Sequence, residues 1–173
     1  MRQCLLICIA IAMTLGLKLR ESGAESLAAP SDLRICFVPL GAHDAGLLEH
    51  ARRGSEYLYG ADAVVLAKEK LPTKAYYKPR RRYRAEKILD YLLAEHGEDK
   101  GCDLLVGFTA KDISTTKDKH IDWGILGLGE MDGKACVVST FRMKRKAKRA
   151  KQIRRAVSTT NHEIGHVLGA PHG

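Results

Sequence analysis

The segment His162-Glu163-Ile164-Gly165-His166-Val167-Leu168-Gly169-Ala170-Pro171-His172 constrains this chain more than any other stretch. On a helix, residues four apart face the same side, so His162 and His166 can present two imidazoles to one metal ion. Glu163 sits beside the first of them and can reach a water on that ion without ligating it. Ile164 and Leu168 point roughly the opposite way and extend an apolar stripe begun by Ile153 and Val157. The segment therefore demands a helix with one core face and one metal face. Gly169 can take positive φ and end that helix in a left-handed turn, and Pro171 cannot continue it. The chain then folds back, which lets His172 reach the same ion. Three neutral histidines leave one tetrahedral position open, the arrangement of catalytic rather than structural zinc. Glu163 then acts as general base on a water whose pKa zinc lowers towards ~7, and the target is a peptide carbonyl. The five specified positions coincide by accident roughly once in 10⁴ to 10⁵ chains of this length. A metal site is the reading that survives that comparison.

The chain's 173 residues suffice for one domain with a real core. Its first residues form a separate unit. Met1-Arg2-Gln3 is positively charged, and Cys4 to Leu17 is apolar apart from Thr14. Lys18 and Arg20 follow, then small residues from Ser22 to Ala29. This pattern reads as a secretory signal over residues 1–29 with a short linker, cleaved near Ser22–Ala24 or Leu27–Ala29. The apolar run, about 14 residues, is short for a bilayer span. The expected location is secreted or periplasmic. The alternative is an anchor formed by residues 4–17, and membrane contact is expected only if that segment stays uncleaved.

Three cysteines remain beyond this segment: Cys36, Cys102 and Cys136. None has the close spacing of a Cys-rich metal site. They read as small buried hydrophobes, or as one disulfide plus one free thiol after export. The net charge of +9 gathers in Lys78 to Arg84 and in Arg142 to Arg155. Those runs read as solvated helix faces. A polyanion-binding protein using Arg142 to Arg155 is the weaker alternative, because no aromatic ladder interleaves with the basic residues as stacking on nucleic acid requires. No specific nucleic-acid partner is expected. The oligomeric state leaves no trace in the sequence.

Periodicity sets the order of elements. Leu33 to Leu40 reads as a strand, His43 to Tyr59 as a helix closed by Gly60, and Ala61 to Ala67 as a strand. Lys70 to Pro79 reads as a loop and Arg80 to His96 as a helix. Asp103 to Phe108 is a third strand and Ser114 to Asp122 a polar loop. Trp123 to Leu128 is a fourth strand weakened by glycines. Met131-Asp132-Gly133 is a turn, Lys134 to Phe141 a fifth strand, and Lys146 to Leu168 the last helix. The expected fold is α/β, with a mixed, mainly parallel five-stranded sheet, one antiparallel strand, and about three flanking helices.

The extended histidine motif is that of the metzincin clan of zinc endopeptidases. The sequence from Arg34 to His172 resembles the archaemetzincins most. The likeness includes Gly107-Phe108-Thr109-Ala110-Lys111-Asp112, Trp123-Gly124-Ile125-Leu126-Gly127-Leu128, and Ala135 to Arg142 leading into the motif helix. It implies that residues 30–173 form the N-terminal subdomain of a metzincin-like catalytic domain. It implies one catalytic zinc held by His162, His166 and His172, with Glu163 as base and a peptide or protein as substrate. It also implies that an edge strand above the helix pairs with substrate, and Ile125, Leu126, Gly127 and Leu128 are the candidates. Archaemetzincins usually continue with a cysteine after the third histidine, a structural zinc site and a methionine turn. This sequence has Gly173 there. The expectation is a truncated form lacking the C-terminal subdomain and the second zinc. A zinc-binding but inactive module is accordingly the alternative to an active peptidase.

Overall fold

Short aliphatic runs build the centre of the molecule, described by a computed structural model for residues 32–99 and 101–170. The expected signal segment and His172 lie outside the described residues. β1 (Arg34–Pro39), β5 (Leu104–Thr109) and β9 (Ala135–Ser139) are almost wholly buried. Strands covered on both faces need apolar side chains at successive positions, which is what Ile-Cys-Phe-Val, Leu-Leu-Val and Ala-Cys-Val-Val supply. With β2 (Asp62–Val65) and β8 (Gly127–Gly129) they form one sheet in the order β2-β1-β5-β9-β8. The first four run parallel, and β8 lies antiparallel on β9 with Gly127 opposite Val138 and Gly129 opposite Cys136. The mixed five-stranded sheet with one antiparallel strand, expected from the sequence, is thus present.

Alternate side chains of these strands enter two cores. Ile35, Phe37, Val106, Phe108, Cys136 and Val138 pack against α1 (Ala45–Tyr59) and α3 (Arg149–Val167). Cys36, Val38, Leu105, Ala135 and Val137 pack on the other side with Ile88, Leu89 and Leu92 of α2 (Ala85–His96). Of the two readings of the cysteines, the structure has the disulfide, between Cys36 and Cys102, with Cys136 free and buried. None of the described helices is long and apolar enough to cross a membrane.

Five expectations are corrected. The loop expected over Lys70 to Pro79 contains β3 (Tyr76–Tyr77), and the helix expected from Arg80 starts at Ala85, because Arg82–Arg84 is a strand, β4. The polar stretch expected as a loop is a hairpin of β6 (Ile113–Lys117) and β7 (His120–Ile125). These strands form a second sheet, β3-β4-β6-β7. Ion pairs join it: Arg82 Nε lies 2.8 Å from Asp112 and its Nη1 3.0 Å from Asp122. The single strand expected over Trp123 to Leu128 is two strands in different sheets. Ile125 pairs with Ile113, whereas the Leu126 carbonyl already accepts from Ser139 N–H in the large sheet. Finally, the basic runs are helix faces only in part: Arg149, Lys151, Arg154 and Arg155 lie on α3, and the rest do not. Lys78 and Arg80 lie in a 3₁₀ turn and Arg82 and Arg84 in β4, while Arg142–Lys144 is another 3₁₀ turn and α3 starts only at Arg149.

Candidate metal centre and cleft

Helix α3 carries the site, and α1 holds α3 in place. Gly54 of α1 meets Val157 so closely that an added Cβ would lie 2.5 Å from the valine Cγ1. Near that crossing, Ser55 Oγ donates to Asn161 Oδ1 at 3.0 Å, and Tyr59 O–H donates to the Asn161 carbonyl at 2.6 Å. Both anchors act on the residue before His162. No local pattern reveals them, because Ser55 and Asn161 are 106 positions apart.

His162 and His166 converge as their spacing demands. Their Nε2 atoms are 3.1 Å apart and the rings meet edge to face. Two zinc–nitrogen bonds of about 2.0–2.1 Å at the tetrahedral angle place the nitrogens about 3.3 Å apart. The pair therefore fits one zinc ion with little adjustment. His166 is 6% exposed, and its Nδ1–H donates to the Ala170 carbonyl at 2.8 Å. That bond fixes the tautomer and leaves Nε2 with a lone pair for metal. The Ala170 carbonyl is delivered by the helix end. Gly169 takes φ +85, its N–H donates to the His166 carbonyl, and Ala170 N–H reaches back to Gly165. This double hydrogen bond around a left-handed glycine reverses the chain. Among the described residues no group of three His, Cys, Asp or Glu converges on one point. Two of the three expected ligands are described, and His172 lies beyond them.

Glu163 is 8% exposed and sits against the edge strand. An added Cβ on Gly127 would be 2.6 Å from its Cγ and Oε1, and one on Gly129 would be 2.5 Å from its backbone oxygen. Burial raises the Glu163 pKa, and proximity to His166 and a hydrogen bond from Gly129 N–H partly offset that rise. A carboxyl so placed holds a proton more readily than one in water, as a general base that later acts as an acid requires. Beneath it, burial drives the Cys136 thiol well above its ordinary range, so Cys136 is inert filling.

Between β7, β8 and α3 runs a cleft of about 460 Å³. Trp123 to Gly127 form one wall, and Ser158, Thr159, His162 and Glu163 the other. β8 is the outer strand of its sheet. Leu126, Leu128 and Glu130 face the β9 hydrogen-bonding partners, so Ile125, Gly127 and Gly129 turn their main-chain groups the other way. The candidates Ile125, Leu126, Gly127 and Leu128 thus divide: Gly127 presents main chain to the open side, Ile125 pairs with Ile113 of β6, and Leu126 and Leu128 face β9. Trp123, Ser158 and Thr159 were not anticipated as cleft residues. Helical spacing from His162 was the signal that could have found the last two.

No family model matches the chain. Known relatives do. The archaemetzincin of Halobacterium salinarum strain R1 is 28% identical over 148 residues, 81% of either chain. That of Haloquadratum walsbyi is 27% identical over 143 residues, 78% of either chain. The crystal structure of Archaeoglobus fulgidus archaemetzincin, complexed with malonate, is 28% identical with TM-score 0.67 over 82% of this chain and 81% of that one. Over about four fifths of its length the chain is thus similar to archaemetzincins. That of Methanopyrus kandleri, 24% identical with TM-score 0.69 over 85% of this chain and 79% of its own, shares the fold. Archaemetzincins are a family of zinc-dependent metallopeptidases.

Proposed function

We propose that this chain hydrolyses peptide bonds with Glu163 as general base and His162, His166 and His172 as the ligands of one zinc ion. The observation that carries the reading is the 3.1 Å convergence of two imidazole Nε2 atoms beside a buried carboxylate. Zinc, when bound, supplies Lewis acidity that lowers the pKa of water towards ~7. Glu163 takes a proton from the attacking water and later returns it to the leaving amine. The substrate lies extended in the cleft, where the open main-chain groups of Gly127 accept it as an added strand. Gly127 and Gly129 lack side chains, so that strand can approach Glu163 closely.

The Cys36–Cys102 disulfide supports an oxidising compartment and so the secreted or periplasmic location. A peptide or protein is the partner, and no nucleic acid is invoked.

The test compares zinc-loaded protein with its Glu163→Ala variant on peptide libraries, with bound zinc measured in both. Both should hold one equivalent of zinc, and turnover should fall by about 10²–10⁴ in the variant. Equal turnover by the two proteins excludes Glu163 as base. One zinc with no turnover of any peptide by either protein assigns the chain to the inactive zinc-binding alternative.

A further inference from the structure

Leu126 stands between two cavities. On one side is the cleft just described. On the other is a pocket of about 270 Å³ lined by Leu126, Arg142, Met143, Arg145 and Arg155. Three guanidinium groups around one side-chain-sized cavity repel one another unless anions intervene. Arg142 has its anion: Nε and Nη2 lie 2.7 and 3.1 Å from the two oxygens of Asp112. Asp112 is shared with Arg82, so its charge is more than spent. Arg155 is held by carbonyls, its Nη1 donating to Met143 at 2.9 Å and weakly to Arg145 at 3.5 Å. Carbonyls orient the group without neutralising it. Arg145 is exposed. Among the described residues neither Arg145 nor Arg155 makes an ion pair with a carboxylate.

The pocket is aligned with the cleft. Arg155, Thr159 and His162 are spaced four and then three residues apart on α3 and so share a face, and the last two line the cleft. At 1.5 Å rise per residue, Arg155 lies about 10 Å along the helix from His162. That is about three residues of an extended peptide. The cleft wall itself is apolar or neutral at Trp123, Gly124, Ile125 and Leu126. Unneutralised positive charge thus begins where the cleft ends.

We propose that Arg145 and Arg155 bind the carboxylate of an Asp or Glu side chain in the substrate, about three residues from the scissile bond towards the N-terminal end of α3. The proposal rests on the peptidase reading and names the substrate class that reading leaves open. A rigid fork held by carbonyls is pre-organised for a carboxylate, and an extended peptide delivers the side chain at that distance.

The experiment uses zinc-loaded Glu163→Gln protein and labelled peptides carrying Glu, Gln or Lys at each of four positions on either side of the scissile bond. Binding is read by fluorescence anisotropy, and kcat/KM is read with the unsubstituted protein. Glu should be favoured over Gln by about tenfold at one or two positions on one side, and salt should erode the preference. Arg155→Met should bring the Glu-to-Gln ratio towards one. Arg145→Glu, at an exposed side chain, should turn the preference towards Lys. A preference that survives both substitutions, or none at any position, overturns the proposal. So does heparin binding that depends on these arginines while peptides show no preference. If zinc-loaded, folded protein binds and cuts no peptide at all, the underlying peptidase reading falls instead.

Discussion

A methyl group at Gly129 would lie 2.5 Å from the Glu163 backbone oxygen, whereas one at Gly127 would meet that residue's Cγ and Oε1 at 2.6 Å. The two contacts differ in what can yield. Backbone of a buried helix cannot move without carrying β8 away, so Gly129→Ala should cost about 1–3 kcal/mol by overpacking. Side-chain carboxylate can rotate aside, and alanine is better than glycine in a strand by roughly 0.5–1 kcal/mol. Gly127→Ala should therefore leave the urea midpoint nearly unchanged while lowering kcat, because the carboxylate is displaced from its slot. A Gly127→Ala protein as active as the parent would mean that Glu163 does not work from this position. In the sequence these glycines read as flaws in a strand. Their use becomes visible only when α3 is placed beneath β8, a long-range fact that no local window contains. His162, Glu163 and His166 were legible for the opposite reason, since helical periodicity alone brings them together.

Helices α1 and α3 are joined at their starts as well as at their crossing. Asp44 caps α1 by accepting from Leu47 N–H at 3.1 Å, and its two oxygens take Arg149 Nη1 and Nη2 at 2.8 and 2.9 Å at the first residue of α3. The Arg149 pair, with the cap and nearby Lys144 adding to it, holds the Asp44 pKa down to about 2 from 3.8. A carboxyl depressed on folding contributes fully above its unfolded pKa and loses that contribution as pH falls through its folded value. Asp44 should thus add stability above pH 3.8 and lose it down to about pH 2. Asp44→Asn keeps an oxygen for the cap but removes the charge, so its urea midpoint should fall below the parent's at neutral pH and approach it near pH 2. Parallel pH profiles for the two proteins would deny the linkage. Elements such as α1, with its helical apolar stripe, and β9, a continuous apolar run, could be read from sequence. The hairpin β6–β7 could not, because much of Ser114 to Asp122 is polar and solvent-facing, and its cohesion comes from Arg82 bridging Asp112 and Asp122 across the second sheet. Local periodicity places Arg82–Arg84 in α2 for the same reason: the ion pairs of Arg82 that hold it as a strand join residues 30 to 40 positions apart.

At the scale of the molecule, the sheet is stapled by the bond between Cys36 of β1 and Cys102 just before β5. The sequence left this open because three cysteines allow several pairings, and only the parallel register that sets Cys36 beside Leu105 brings Cys102 within reach. A cross-link acts chiefly by restricting the unfolded chain. The separation of 66 residues is long, so the entropic contribution is about 4 kcal/mol, an appreciable part of a small domain's stability. In addition, the two sulfurs lie in a well-packed layer, and two thiols there must fit where one disulfide fits. Both effects have the same sign. Reduction should therefore lower the urea midpoint of the intact chain, with Cys36 and Cys102 becoming open to alkylation under denaturing conditions and Cys136 labelled with or without reductant. The histidine site lies on the opposite core from the bond, so zinc content should persist under mild reduction until global unfolding begins. Equal midpoints before and after complete reduction would show that the cross-link carries no stability.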